Sequence, residues 1–383
     1  MFESVRPNAM LAFKSVAFLL VFIVWLLPMQ AMYYANGSGY HDLYAFWPLL
    51  VIFGVVPLVD ALLGKDPANP SDEQVEWLSR LWIFPLFTLA MVPWQYWALY
   101  ESGQYMVTAP LSPVGYFGWM VSVGACAAII GINVAHELIH KDSRLEQWAG
   151  GLLLASVCYA GFKVEHVRGH HVHVSTPEDA SSSRYNQSLY RFLPQAYTRN
   201  FMAAWKLEAA RLTRLGLPAF HWRNELIWWY SISALLAVVS GLLWGWLGVL
   251  FFLGQSFFAA TLLEIVNYIE HYGLHRRRLE NGKYERVTPA HSWNSNHLFT
   301  NILLFHLQRH SDHHANPKRR YQVLRHFNES PQLPNGYAGM VVLALIPPLW
   351  FRVMNPRVEA YYKGEEWQLS NDQFSKAARQ HAE

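Results

Sequence analysis

Residues 226–268 read LIWWYSISALLAVVSGLLWGWLGVLFFLGQSFFAATLLEIVNY, a 43-residue run with a single charged side chain, Glu264. A hydrocarbon core of about 30 Å takes roughly 20 helical residues to cross, so this run is too long for one crossing and long enough for two. Gly241, Gly245 and Gly248 fall around Trp244 and Trp246 in its middle. They mark a tight reversal, which predicts a helical hairpin with arms 226–243 and 247–268.

Working outward, four further stretches meet the same length criterion: Leu11–Tyr33, Tyr44–Leu63, Leu81–Tyr100 and Pro113–Ala135. Six crossings are therefore expected. Connections 34–43, 101–112 and 241–247 hold no Lys or Arg, whereas 64–80, 136–225 and 269–383 hold nearly all thirty. Excess Lys and Arg mark cytoplasmic connections, so both termini and the large polar segments 136–225 and 269–383 are expected on the cytoplasmic side. A signal-peptide reading of residues 1–35 is the alternative for the first span; Lys14 precedes an apolar run, but that run is long for such a segment. Trp148–Phe162 and Tyr337–Met354 are too short or too interrupted to cross and are expected in the interface or beneath the polar part. The polar stretch 174–188, STPEDASSSRYNQSL, is the best linker candidate.

The composition agrees with membrane residence. Of 383 residues, 52% are hydrophobic and 15% charged, against roughly 25% charged in an ordinary soluble domain. Seventeen Trp, twenty Tyr and twenty-two Phe suit a chain with much of its surface at a bilayer boundary. A net charge of +3 and the absence of a Gly-rich phosphate fingerprint argue against nucleic-acid or dinucleotide binding. The two cysteines, Cys126 and Cys158, exclude a disulfide scaffold and any four-thiolate iron centre within this chain. An electron carrier, if one is needed, has to come from outside.

Eighteen His are the unusual polar component, and fourteen lie in two windows, 136–173 and 271–314, both on the expected cytoplasmic side. His136-Glu137-Leu138-Ile139-His140 places two imidazoles at i and i+4 at the end of the fourth span, on one helical face. This is also the zinc-protease spacing, but such a site needs one further ligand and leaves the other His unused. Glu165-His166-Val167-Arg168-Gly169-His170-His171 repeats the i, i+4 spacing between His166 and His170 and adds a neighbour. Adjacent helical residues point about 100° apart, so His170 and His171 are expected to serve different metals. The second window adds His271, His310, His313 and His314. Nine imidazoles, His136, His140, His166, His170, His171, His271, His310, His313 and His314, suit two metals with four or five each.

Nitrogen ligands alone do not choose among iron, copper, manganese and zinc. Neutral imidazoles leave the ion's charge uncompensated, which calls for nearby carboxylates: Glu137, Glu165, Glu270 and Asp312 beside the proposed ligands, and Glu264 deeper in its span. His173, His275, His291, His297 and His306 lie near the motifs but break their spacing, and His41, His221, His326 and His381 stand apart; all are expected to be ordinary hydrogen-bonding or interfacial residues.

Together the four His motifs, above all NYIEHYGL (267–274) and LQRHSDHHA (307–315), resemble those of the integral-membrane alkane 1-monooxygenases, over roughly residues 40–350. The resemblance implies an all-α integral membrane protein in a bacterial inner membrane: a single catalytic domain of six transmembrane helices under a cytoplasmic His-rich helical cap. It implies a non-haem diiron enzyme that uses O2 to convert n-alkanes to primary alcohols. Electrons would come from a rubredoxin reduced by an NADH-dependent rubredoxin reductase. Related hydroxylases and desaturases acting on xylene, fatty acyl or sterol substrates are the alternatives, and a divalent-metal transporter is a more distant one.

Terminal attack implies a narrow apolar channel. Bulky candidates for its wall are Trp47, Leu50, Phe53, Phe84, Phe87, Trp94, Ile129, Ile132, Phe258 and Leu262. Two basic clusters, Arg276, Arg277, Arg278 and Lys318, Arg319, Arg320, flank the second His window. They are expected either to attract anionic membrane lipid or to dock an acidic electron-transfer protein.

Overall fold

The computed structural model describes residues 9–362, and within them the chain is helical, with only three isolated β-bridges. The principal helices are α1 (Leu11–Ser38), α2 (Trp47–Leu63), α3 (Asp72–Arg80), α4 (Ile83–Thr108), α5 (Pro113–Ile139), α6 (Arg144–Ala155), α7 (162–173), α8 (Leu189–Thr213), α9 (Glu225–His271), α10 (Leu298–Leu303), α11 (His310–Ala315), α12 (Tyr337–Ala344) and α13 (Pro347–Tyr362). Among the described residues α1, α5 and α9 are long and apolar enough to cross a membrane, and the pair α3–α4, bent by 48°, qualifies together as a fourth. At 17 residues, about 25 Å, α2 is apolar but shorter than the crossing expected there.

The long run α9 breaks where the glycines suggested. Gly245 has φ 65° and ψ −156°, outside the helical region and accessible to glycine without strain. A Cβ on Gly248 would overlap Ser240 O, so the two arms touch directly beyond the break.

Helix α5 is the central pillar. Residues 122–141 are buried without interruption, and 83% of its apolar window is inside the protein, against 22% for α9. The reason is the small-residue stretch Ser122-Val-Gly-Ala-Cys-Ala-Ala128, which lets backbones approach as they do between membrane helices. A Cβ on Gly124 would stand 2.7 Å from Gln255 O on α9. The apolar stretch Trp148–Phe162 packs as α6 and the turn after it, with Gly151 against Trp229 and Gly150 against Ile139. Tyr337–Met354 splits into α12 and α13 at Pro347, with Trp350 and Met354 buried.

Segment 174–188 is not the loose linker its composition suggests. Its polar side chains bond back onto the chain, which turns a hydrophilic run into a buried strap. Ser182 Oγ donates to Asp179 Oδ2 (2.5 Å), Ser175 Oγ to His291 O (2.9 Å) and Ser183 Oγ to Tyr268 O (2.7 Å).

Among the described residues three places in the helices take a wide turn closed by an i→i+5 bond: Val51–Val55 in α2, Ala128–Ile132 in α5 and His166–His170 in α7. Such a turn inserts one residue and rotates the side chains beyond it about the helix axis, a device that favours functional sites.

Candidate metal centre

The nine imidazoles converge from four helices and sort into two groups. His136, His140, His166, His171 and His313 form the first, His170, His271, His310 and His314 the second; in each, the donor atoms lie within 4.8 Å of one another. The last turn of α5 supplies His136, with His140 just past it, while the end of α9 supplies His271. Short helix α11 serves both groups, sending His310 and His314 to one side and His313 to the other.

In α7 the sorting departs from the expected i, i+4 pairing of His166 with His170. The backbone N–H of His171 donates to His166 O across the wide turn, so His166 is aligned with His171 instead, and their Nε2 atoms are 3.1 Å apart. His170 turns to the second group, where its Nε2 is 3.2 Å from His314 Nε2.

The donor sets fit metal ions. Nitrogens bound about 2.0–2.1 Å from one ion stand at most about 4.2 Å apart, so donor atoms that all lie within 4.8 Å of one another are close to a ligating arrangement. In the second group His314 Nε2 is 2.9 Å from His310 Nε2, which is 3.3 Å from His271 Nε2. Shared protons cannot satisfy such a cluster of converging nitrogens, and His136 Nε2 and His140 Nε2 have no hydrogen-bond partner although buried. Burial, followed by mutual repulsion, holds His140, His166, His171, His310, His313 and His314 well below the ordinary imidazole pKa, which keeps them in the neutral form that binds metal.

The carboxylates divide by what they touch. Glu270 faces the second group, with Oε2 3.2 Å from His310 Nε2, while its Oε1 accepts from Tyr337 Oη (2.7 Å). Glu165 is buried on α7 between the His-bearing turn and α8, where a Cβ on Gly169 would lie 2.7 Å from its Oε1. The others hold the scaffold. Glu137 accepts from Lys141 Nζ (2.9 Å), Glu264 from Tyr159 Oη and Asn200 Nδ2, and Asp312 from Arg319 and the Arg325 backbone N–H. The carboxylate that does meet a ring nitrogen away from the cluster is one the sequence reading missed. Asp179 Oδ2 lies 2.9 Å from His170 Nδ1. Burial alone would lower the His170 pKa, but Asp179 reverses that and raises it; burial opposes ionisation of Asp179, and His170 wins, holding it down at about 2. The only sequence signal was a lone Asp in a Ser-rich run after the second motif.

Against the two groups lies an apolar cavity whose outline encloses about 800 Å³ of empty space, part of it open solvent. His136, His166, Glu270 and His310 close one end. Phe53, Ile129, Ile132 and Leu262 from the sequence reading line it, joined by Ile52, Val56, Leu303, Leu307, Tyr337 and Val341, which that reading did not name. Two wide turns, in α2 and α5, run along its wall. The other bulky candidates lie elsewhere. Trp47 donates to Gln30, Leu50 is exposed, Phe84 packs on Phe18 and Phe87, Trp94 stacks on Trp97, and Phe258 meets Phe117.

The basic clusters are engaged within the protein. Arg276 donates to Val172 O and Glu285 O, Arg277 pairs with Glu285, and Arg278 donates to Gly282 O. Lys318 pairs with Asp142, Arg319 with Asp312 and Arg320 with Glu146. Seven of the remaining His have structural surroundings: His306 Nδ1 faces Tyr321 O, His291 Nε2 faces Glu285, His297 Nδ1 faces Ser295, His275 stacks on Tyr362, His41 faces Tyr105, His326 faces Asn296, and His221 Nδ1 accepts from the Arg223 N–H. His381 lies outside the described residues.

Comparison with known proteins narrows the chemistry. The family model for fatty acid desaturases matches residues 111–344. The chain is 59% identical over 381 residues to alkane 1-monooxygenase 2 of Pseudomonas aeruginosa, covering 97% of this chain and all of that protein. It is also 59% identical to alkane 1-monooxygenase 2 of Alcanivorax borkumensis, over 97% of this chain and 98% of the relative. Similarity to the hydroxylase component of a xylene/toluene monooxygenase of Pseudomonas putida is lower, 29% over 66% of each chain.

Proposed function

The chain belongs to the alkane 1-monooxygenases, within the fatty acid desaturase family, and from that premise we propose that it hydroxylates n-alkanes at the terminal carbon. O2 is the oxidant, rubredoxin the electron donor, and the primary alcohol and water are the products. The observation that carries this reading is the shared boundary of the two histidine groups and the apolar cavity: His136, His166 and His310 belong to both. A centre so placed serves a substrate with no polar handle.

The nine histidines would hold two irons, five nitrogens to one and four to the other. When bound, the irons supply the reductive activation of O2. The chain's own residues do the rest. Leu262, Ile129 and Val341 orient a hydrocarbon by contact alone and keep water from the reacting end. Glu270 and Asp179 bring negative charge to the four-histidine group, and Tyr337 and the Ser182 hydroxyl fix those carboxylates in place.

Six crossings follow if α2 is taken as a short span and α9 as two, with the bent α3–α4 pair supplying one. The basic connections then lie in the cytoplasm of a bacterial inner membrane, and the histidines lie on that side, within reach of a soluble rubredoxin. Because Arg276, Arg277, Arg278, Lys318, Arg319 and Arg320 are mostly engaged internally, rubredoxin docking would use the exposed faces of Arg277 and Lys318 and the ground around Val172, which is exposed next to His171.

The test is turnover by the purified chain with O2, a reduced rubredoxin system and a series of n-alkanes. 1-Alkanol product supports the reading. Activity confined to xylene, fatty acyl or sterol substrates would move the protein to a sister activity, and loosely exchanging metal without turnover would point to transport.

A further inference from the structure

A second cavity lies apart from the histidine groups and the hydrocarbon cavity. It has about 600 Å³ of empty space, partly continuous with solvent, between the first turns of α1, the loop 68–70, α3 and the segment after α11. Leu11, Phe18 and Leu78 give it an apolar side; Lys14, Ser15, Arg309 and Gln322 give it a polar one.

Two features of its polar side are unusual. Arg309 is 3% exposed, and its guanidinium donates to Leu324 O (2.6 Å), Asp66 O and Ala68 O (both 3.1 Å). All three partners are neutral carbonyls, and among the described residues Nε has no partner. Gln322 is 5% exposed; its Nε2 reaches Leu78 O at 3.5 Å, and its Oε1 has no partner. A buried cation without a contacting anion is costly, and so is an orphaned buried donor or acceptor. The two carboxylates whose charge reaches Arg309 are both taken, Asp66 by Lys14 and Asp312 by Arg319. Among the described residues Lys14 and Arg309 against Asp66 therefore leave one positive charge at the cavity, beside an N–H that needs an acceptor and an oxygen that needs a donor.

A phosphodiester carries one negative charge. Lys14 sits in the first turn of an apolar helix, where a side chain of this kind reaches the headgroup region of a bilayer. We propose that this cavity binds the headgroup of a glycerophospholipid, the phosphate facing Arg309 Nε and Lys14, a hydrogen-bond donor of the headgroup facing Gln322 Oε1, and an acyl chain running along Leu11 and Phe18. The donor requirement selects within the class. Phosphatidylethanolamine offers an ammonium N–H and phosphatidylglycerol a hydroxyl, whereas the quaternary ammonium of phosphatidylcholine has nothing to donate. Since Arg309 directly precedes His310, an occupied site would also brace the segment that carries three of the nine histidines.

The experiment is a binding series on the delipidated full chain in detergent, read by native mass spectrometry and by thermal melting. Short-chain phosphatidylethanolamine, phosphatidylglycerol, phosphatidylcholine and inorganic phosphate are the probes. The expected result is one tightly held phosphatidylethanolamine or phosphatidylglycerol per chain, a raised melting temperature, and about tenfold or weaker binding of phosphatidylcholine. Gln322→Leu should abolish the preference over phosphatidylcholine, and Lys14→Met should weaken all three lipids; neither change touches the backbone carbonyls that pin Arg309. Equal binding of phosphatidylcholine by the unaltered chain would overturn the proposal. So would stabilisation by inorganic phosphate equal to that by lipid, which would make the site one for free anion, or lipid binding unchanged in both variants.

Discussion

His166 Nε2 and His171 Nε2 lie 3.1 Å apart although the two residues stand at i and i+5, because the turn between them is one residue wider than an α-turn. That inserted residue sends His170 to the second group and His171 to the first. An ordinary helix would place His166 and His170 together and leave His171 about 100° away.

Removing the extra residue should therefore dismantle the pair of sites. Deletion of Val167 is expected to restore an ordinary turn, to lower bound metal from two ions to one or none, and to abolish turnover while far-UV helix content stays the same. Metal analysis of the purified variant checks this; two retained ions would show that the wide turn has no part in sorting the ligands.

Asp179 is the carboxylate that meets the far nitrogen of a proposed ligand, 2.9 Å from His170 Nδ1. Asp179→Asn should weaken the four-histidine site by about 10- to 100-fold, the usual effect of removing such a partner. Chelator competition measures it directly, with loss of one ion before the other. Equal loss of both ions, or of neither, would assign Asp179 to the strap alone.

The metal-free protein should lose stability as the pH falls. Six of the proposed ligands, His140, His166, His171, His310, His313 and His314, lie outside the spans and have depressed pKa values, so they take up protons in the unfolded chain below about pH 6.5 but resist them in the fold. With more protons bound to the unfolded state, stability drops with decreasing pH, and the effect persists until the folded-state values are reached. His170 and Glu165, whose pKa values are raised, oppose this as two groups against six. Melting of the apoprotein between pH 7.5 and 5 should show a steady decline; a flat profile would mean that the rings are not held neutral by burial.

The hydrocarbon cavity predicts chain-length selectivity. Leu262→Trp or Ile129→Trp, on its wall, should shorten the longest n-alkane accepted while sparing shorter ones. Leu50→Trp, at an exposed position outside the cavity, is the control and should leave the product series unchanged. Product analysis over the series decides, and unchanged selectivity in both wall variants would remove the cavity as the substrate site.

What could be read in the sequence depended on whether the signal was periodic. Glycines 241, 245 and 248 announced the break in α9 because an apolar run of that length has to reverse, and the spacing of His170 and His171 announced two different faces. The wide turn in α7 was not legible, since a one-residue insertion leaves no mark on composition or period. The cavity wall was only partly legible. On a membrane helix the lipid face and the cavity face are both apolar, so nothing in the residue types separates Leu50 from Phe53. Asp179 was hidden for the opposite reason: its polar neighbours suggested solvent, whereas Ser175, Ser182 and Ser183 satisfy one another and the backbone and are buried.

The central claim is that two histidine groups facing one hydrocarbon cavity form a diiron alkane hydroxylase, and single-turnover analysis of the iron-loaded, reduced chain tests it most directly. With two irons per chain, O2 and n-alkane should yield 1-alkanol, and His313→Ala or His314→Ala, one from each group, should each leave one iron and no product. Full turnover with a single bound iron, or two irons retained in both variants, would contradict it.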